Sequence, residues 1–123
     1  MKIDLTRWIV VPLLLTLPGF SPAFAHAFLV NSDPPVGSTV STAPKALILT
    51  FTESLEVPFC RVAVTDSMGM NVASGKRQAV PGHPDQLSVP LNISMHGKID
   101  VTWHAVSVDT HKTEGHFAFT VAK

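Results

Sequence analysis

Cysteine is nearly absent from this chain: Cys60 is the only one in 123 residues. A lone cysteine cannot close an internal disulfide, so the core must hold without covalent staples. Tyrosine is missing altogether, which leaves little material for a flat aromatic platform under a polymeric substrate. No segment sustains an apolar period near 3.6, which argues against a helical bundle. Neither sign of charge is in excess, with nine basic and nine acidic residues. That balance offers no footprint for nucleic acid and no polybasic patch for a membrane. Long apolar runs are lacking too. Trp8 to Leu17 is mostly apolar over about ten residues, whereas a spanning helix needs about 20.

What is present begins with an export signature. Lys2 and Arg7 form a basic start, the short apolar run follows, and Ala23-Phe24-Ala25 closes it. An A-x-A ending after such a run marks a cleaved secretory signal peptide. Residues 1–25 are therefore expected to be removed, leaving 26–123 as one exported domain that does not insert in the membrane. Without Lys2, Asp4 and Arg7, seven basic and eight acidic residues remain. A domain of this size buries roughly 60–65% of its unfolded surface, enough to fold without staples.

The remainder reads as short strands. Ala27 to Val30 is a first strand, ended by the turn residues Asn31-Ser32-Asp33-Pro34-Pro35. Lys45 to Phe51 is rich in β-formers. Phe59 to Thr65 alternates, with Cys60, Val62 and Val64 predicted to face inward and Cys60 acting as a small buried hydrophobe. Asp66 to Met70 reads as a turn, and Val72 opens a weak strand. Gly75 to Gln86, with Pro81, Gly82 and Pro84, reads as loop. Gln86 to Ile93 is predicted as a strand which Pro90 confines to an edge. Lys98 to Val106 puts Ile99, Val101, Trp103 and Ala105 on one face, and Gly115 to Val121 puts Phe117, Phe119 and Val121 in register. About seven short strands with regular turn signals predict an all-β fold. The expected form is a single Greek-key antiparallel sandwich or barrel, immunoglobulin-like or cupredoxin-like.

The polar centre of the last two runs is Asp109-Thr110-His111. If that backbone is extended, the carboxylate and imidazole point to one side. The plain alternative is a loop in which Asp109 makes an Asx-turn. His26, as the first residue after cleavage, would offer two nitrogens, its α-amine and its imidazole Nδ1. With His111 and Asp109 this gives three nitrogens and an oxygen, a set suited to copper(II), with zinc as the main competitor.

Several stretches resemble the CopC family of periplasmic copper-binding proteins. They are the Ala23-Phe24-Ala25-His26 junction, Asn31 to Ser38, Leu49-Thr50-Phe51-Thr52-Glu53, and Trp103 through His111, which is similar to the family's W-R-x-x-S-x-D-x-H. The resemblance implies a β-sandwich holding one copper(II) per chain through His26, Asp109 and His111. It implies a carrier or buffer in copper homeostasis or resistance, with no enzymatic activity, working beside an inner-membrane CopD-type copper transporter. Glu53 matches an acid near the family's site; it is either an additional ligand, an outer-sphere group or a surface acid at a strand end. Some members bind copper(I) through a Met-rich loop. Here that loop offers only Met68 and Met70, so no copper(I) site is expected. His83, His96, His104 and His116 are expected to be outward-facing or in turns, not ligands. Two other classes stay open: a copper monooxygenase using the same N-terminal histidine brace, and a plain structural or interaction sandwich.

Overall fold

The computed structural model describes residues 26–123, so the expected signal peptide at 1–25 lies outside the described residues. Eight strands follow in order: β1 (Leu29–Asp33), β2 (Thr39–Val40), β3 (Ala46–Phe51), β4 (Arg61–Thr65), β5 (Gln78–Val80), β6 (His83–Pro90), β7 (Gly97–Val106) and β8 (Lys112–Val121). They form two four-stranded sheets, ordered β1-β3-β6-β5 and β2-β8-β7-β4. β3 pairs with β6 and β4 with β7, while the chain changes sheet from β1 to β2, β2 to β3, β3 to β4, β4 to β5 and β6 to β7. These crossings give the Greek-key sandwich.

Alternation fixes which faces meet. Ile99, Val101, Trp103 and Ala105 of β7 are buried, as are Phe117, Phe119 and Val121 of β8. They pack against Leu47, Leu49 and Phe51 of β3 and Leu87 and Val89 of β6 in one core. Phe51 and Trp103 meet edge to face across the sandwich, with ring centroids 5.2 Å apart. Opposite Trp103 on β8 stands Gly115. A Cβ there would lie 2.5 Å from Trp103 Cζ2, so the indole occupies the space a side chain would need. Cys60 is fully buried, and burial pushes its thiol pKa up. It is the small core hydrophobe the alternation predicts.

Four expectations need correction. Residues 78–90 are a hairpin and not a loop followed by an edge strand. Pro81 and Gly82 form its turn, Gly82 having φ 78°, a conformation a Pro-Gly pair favours. β6 is a central strand, and Pro90 is tolerated because it is the last residue; its carbonyl still accepts the Ser74 amide at 2.9 Å. Phe59 ends a 3₁₀ turn, Val57–Phe59, instead of opening β4. Finally, β2 runs parallel to β8 while the other strand pairs are antiparallel. Smaller shifts place β1 two residues later than read and reduce the Val72 strand to isolated bridges at Asn71 and Ala73.

Candidate metal centre

Two stretches far apart in sequence meet at one end of the sandwich. The first is 26–28, ahead of β1. Thr52, just past β3, donates its hydroxyl to the His26 carbonyl at 2.9 Å and accepts the Phe28 amide at 3.0 Å. The Thr52 amide in turn donates to the Phe28 carbonyl at 2.9 Å. From the other sheet, Thr113 donates its hydroxyl to the Ala27 carbonyl at 2.6 Å, and Ala27 is fully buried. Two threonines on opposite sheets thus fix the backbone that carries the His26 ring.

The second stretch is the β7–β8 connection. Ser107 extends the inward row of β7 by one step and is 1% exposed. His111 stands one step before Thr113 on the inward row of β8. Between them the chain turns: the Ser107 amide donates to the His111 carbonyl at 3.0 Å and the Thr110 amide to the Ser107 carbonyl at 2.9 Å. The Val108 amide reaches the Ser54 carbonyl at 3.1 Å, tying the turn to the chain beyond β3. Thr110 sits at φ 71°, unusual for a β-branched residue. Asp109 and His111 therefore come together through a turn and not through extended i, i+2 geometry; the His111 amide donates to Asp109 Oδ1 at 3.4 Å, the Asx-turn of the plain alternative.

Within that turn the Ser107 hydroxyl donates to Asp109 Oδ1, and Asp109 Oδ2 lies 3.0 Å from His111 Nδ1. The Ser107 hydroxyl first, and then His111, hold the Asp109 carboxyl down at about 2. The carboxylate is therefore charged throughout the neutral range. The rings of His26 and His111 face each other edge on, with centroids 4.8 Å apart and planes at 86°. Phe28 flanks His26 at 5.9 Å. His26 Nδ1 is buried and has no hydrogen-bond partner among the described residues. An unsatisfied buried nitrogen costs roughly 1–3 kcal/mol, and coordination to a metal ion is one way to satisfy it.

The structure thus brings His26, His111 and Asp109 to one place but does not give them equal roles. Among the described residues no three His, Cys, Asp or Glu side chains converge on one metal position. Asp109 is turned toward Ser107 and His111, and Glu53 is half-buried beside Thr52 without joining the ring pair. His104 faces outward and pairs with Glu114 at 3.0 Å. His116, His83 and His96 are exposed, His83 as the first residue of β6. Met68, Met70 and Met95 are exposed, in the connections after β4 and before β7 at the other end of the sandwich. Thr52, Thr113 and Ser107 are the site residues that sequence reasoning passed over. Ser107 and Thr113 each left a signal, as a polar residue ending an otherwise apolar inward row.

Residues 29–122 match the family model for the CopC domain. The chain is 36% identical over 110 residues to Protein YobA of Escherichia coli strain K12, covering 88% of this chain and 89% of that protein. Its fold is similar to the crystal structure of CopC from Methylosinus trichosporium OB3b, with TM-score 0.73 and 28% identity over 79% of this chain and 94% of that one. It is also similar to PcoC, a methionine-rich copper resistance protein from Escherichia coli, with TM-score 0.67 and 34% identity over 79% of this chain and 99% of that one.

Proposed function

The chain belongs to the CopC family, and from that premise we propose that it is a periplasmic copper(II) carrier or buffer holding one ion per chain. One observation carries the reading: His26 and His111 face each other at 4.8 Å, with His26 Nδ1 buried and unpartnered. Cleavage after Ala25 converts the His26 backbone nitrogen into a primary amine. That amine titrates near pH ~7.7–8.0 in a free chain, so copper displaces its proton readily. Amine and Nδ1 then close one chelate ring, and His111 supplies the third nitrogen.

Asp109 has a supporting role in this arrangement. With its carboxylate against Nδ1 of His111, the nitrogen left to meet an ion is Nε2. A carboxylate behind a ligating imidazole fixes the ring and raises its basicity. It also offsets part of the ion's charge, and in a loaded site it is the oxygen donor nearest to hand. Three nitrogens with a carboxylate suit tetragonal copper(II), which also leads the divalent affinity order. Copper as cargo is supported by relatives such as PcoC, named for copper resistance. Release to an inner-membrane CopD-type transporter completes the role, and no reaction is assigned to the chain itself. Glu53, half-buried beside Thr52, serves as an outer acid to the same site.

Competition between copper(II) and zinc on the processed protein tests the donor set. One equivalent of copper should bind and resist zinc at equal concentration. His111→Ala should cost the most affinity, because a nitrogen donor is lost. Asp109→Asn should cost less, about 10–100-fold, as removal of an orienting partner does. Displacement of copper by equimolar zinc, or parental affinity in His111→Ala, would contradict the site.

A further inference from the structure

A groove crosses the outer face of the β4–β7–β8 sheet, beside the turn that carries His111. It consists of two open concavities, of about 580 and 450 Å³, which share Arg61 and His104 as a common wall. The strand register sets Arg61 opposite His104 and His104 opposite Glu114, one row across three strands. Such directly opposed side chains are neighbours on one face.

The charge in this groove is segregated. Residues 26–123 hold seven Lys and Arg against eight Asp and Glu. Arg61, Lys76, Arg77 and Lys112, four of those seven, line the groove. Glu114 is the one acid among the lining residues, and it is engaged with His104 Nε2 at 3.0 Å. A cleft lined by one sign of charge concentrates ligands of the other sign.

An aromatic ring stands at the rim. Phe59 is 69% exposed, yet its backbone is pinned. Its amide donates to the Glu56 carbonyl at 2.9 Å. Arg77 Nε donates to the Val57 carbonyl at 3.2 Å, and the same guanidinium donates to the Pro58 carbonyl. A large apolar side chain held in water on a fixed backbone, beside a cationic cleft, is an anchor for a partner.

We propose that this groove binds an extended acidic segment of a partner protein, with carboxylates meeting Arg61, Lys76 and Lys112 and one apolar side chain seated against Phe59. Shape favours a chain segment over an anionic bilayer, because a concave cleft cannot lay its floor on a flat surface. Thr110 and Lys112 line the groove, while Asp109 and His111 of the same connection face the ring pair. A docked segment therefore touches the turn that holds His111. The inference rests on charge and shape in the metal-free protein and stands apart from the copper reading.

The test is a titration of metal-free, isotope-labelled protein with a short peptide of alternating Glu and Asp around a central Leu, read by amide chemical shifts. Shift changes should cluster on Phe59, Arg61, His104 and Lys112. They should weaken severalfold when ionic strength rises from about 0.1 M to about 1 M, where the screening length falls from about 10 to 3 Å. Arg61→Glu combined with Lys76→Glu should reduce the affinity at least about tenfold, or 1.4 kcal/mol, with unchanged melting and unchanged copper(II) affinity. Equal shifts with the Lys version of the peptide, shifts confined to another face, or a response only to phosphatidylglycerol vesicles or to single-stranded nucleic acid would overturn the proposal. Loss of copper binding with peptide binding intact would overturn the metal site alone.

Discussion

Thr110 holds a backbone conformation that its own side chain opposes. At φ 71° it sits in the left-handed region, which costs an L-residue roughly 1–2 kcal/mol. Glycine would remove that cost but lose roughly 0.5–1 kcal/mol more chain entropy on folding. Thr110→Gly should therefore raise stability by up to about 1 kcal/mol, or 4–8 °C in melting temperature for a domain this small. A lower melting temperature would mean that the threonine side chain repays its strain through contacts. Strain of this kind collects where a turn must aim functional groups, and here it lies between Asp109 and His111. The sequence made these two residues legible as a pair but left the backbone between them open, either extended or an Asx-turn at Asp109. The turn is what forms: Ser107 and Thr110 close it, and the His111 amide donates to Asp109 Oδ1 at 3.4 Å. The hydroxyl that organises it stands in the same motif, but nothing in a serine's identity says which atom it will reach.

At the scale of elements, β7 and β8 were readable because both alternate over their length and bury one face. Their cross-strand fit was less visible. Gly115 looks like an ordinary break in the β8 pattern until Trp103 is placed over it. Gly115→Ala would force the indole to move, since the new Cβ would lie 2.5 Å from its ring. Such overpacking costs typically about 1–3 kcal/mol. Trp103→Ala should cost roughly 3–5 kcal/mol by opening a cavity. Chemical denaturation of both variants checks the pair. Parental stability of Gly115→Ala would show that the indole has room to shift, and parental stability of Trp103→Ala would contradict its burial. The β5–β6 hairpin was hidden because Pro81, Gly82 and Pro84 crowd a polar stretch. Read for turn type instead of polarity, Pro-Gly names a tight turn, and Leu87 and Val89 then alternate inward.

For the molecule as a whole, the candidate centre is a place where residues 26–28, ahead of β1, are clamped between the two sheets. Thr52 follows a strand of one sheet and Thr113 belongs to the other; between them they hold the backbone of 26–28 at three points. Sequence alone placed His26 near the site only through its position after the expected cleavage point and through family resemblance. The clamp itself depends on tertiary contacts across 24 to 86 residues, and no local pattern reports them. The central claim is that His26 binds copper(II) through its own backbone amine as well as its ring, and one measurement isolates it. Electron paramagnetic resonance of the copper(II) complex should be compared between protein beginning at His26 and protein carrying one extra residue before it. The extension keeps every side chain but turns the amine into an amide and breaks the chelate ring. The account predicts a steep fall in affinity and a spectrum lacking one nitrogen donor in the extended form, with melting unchanged in the absence of metal. Identical spectra and affinities would show that the terminal amine is no ligand and that the brace does not exist.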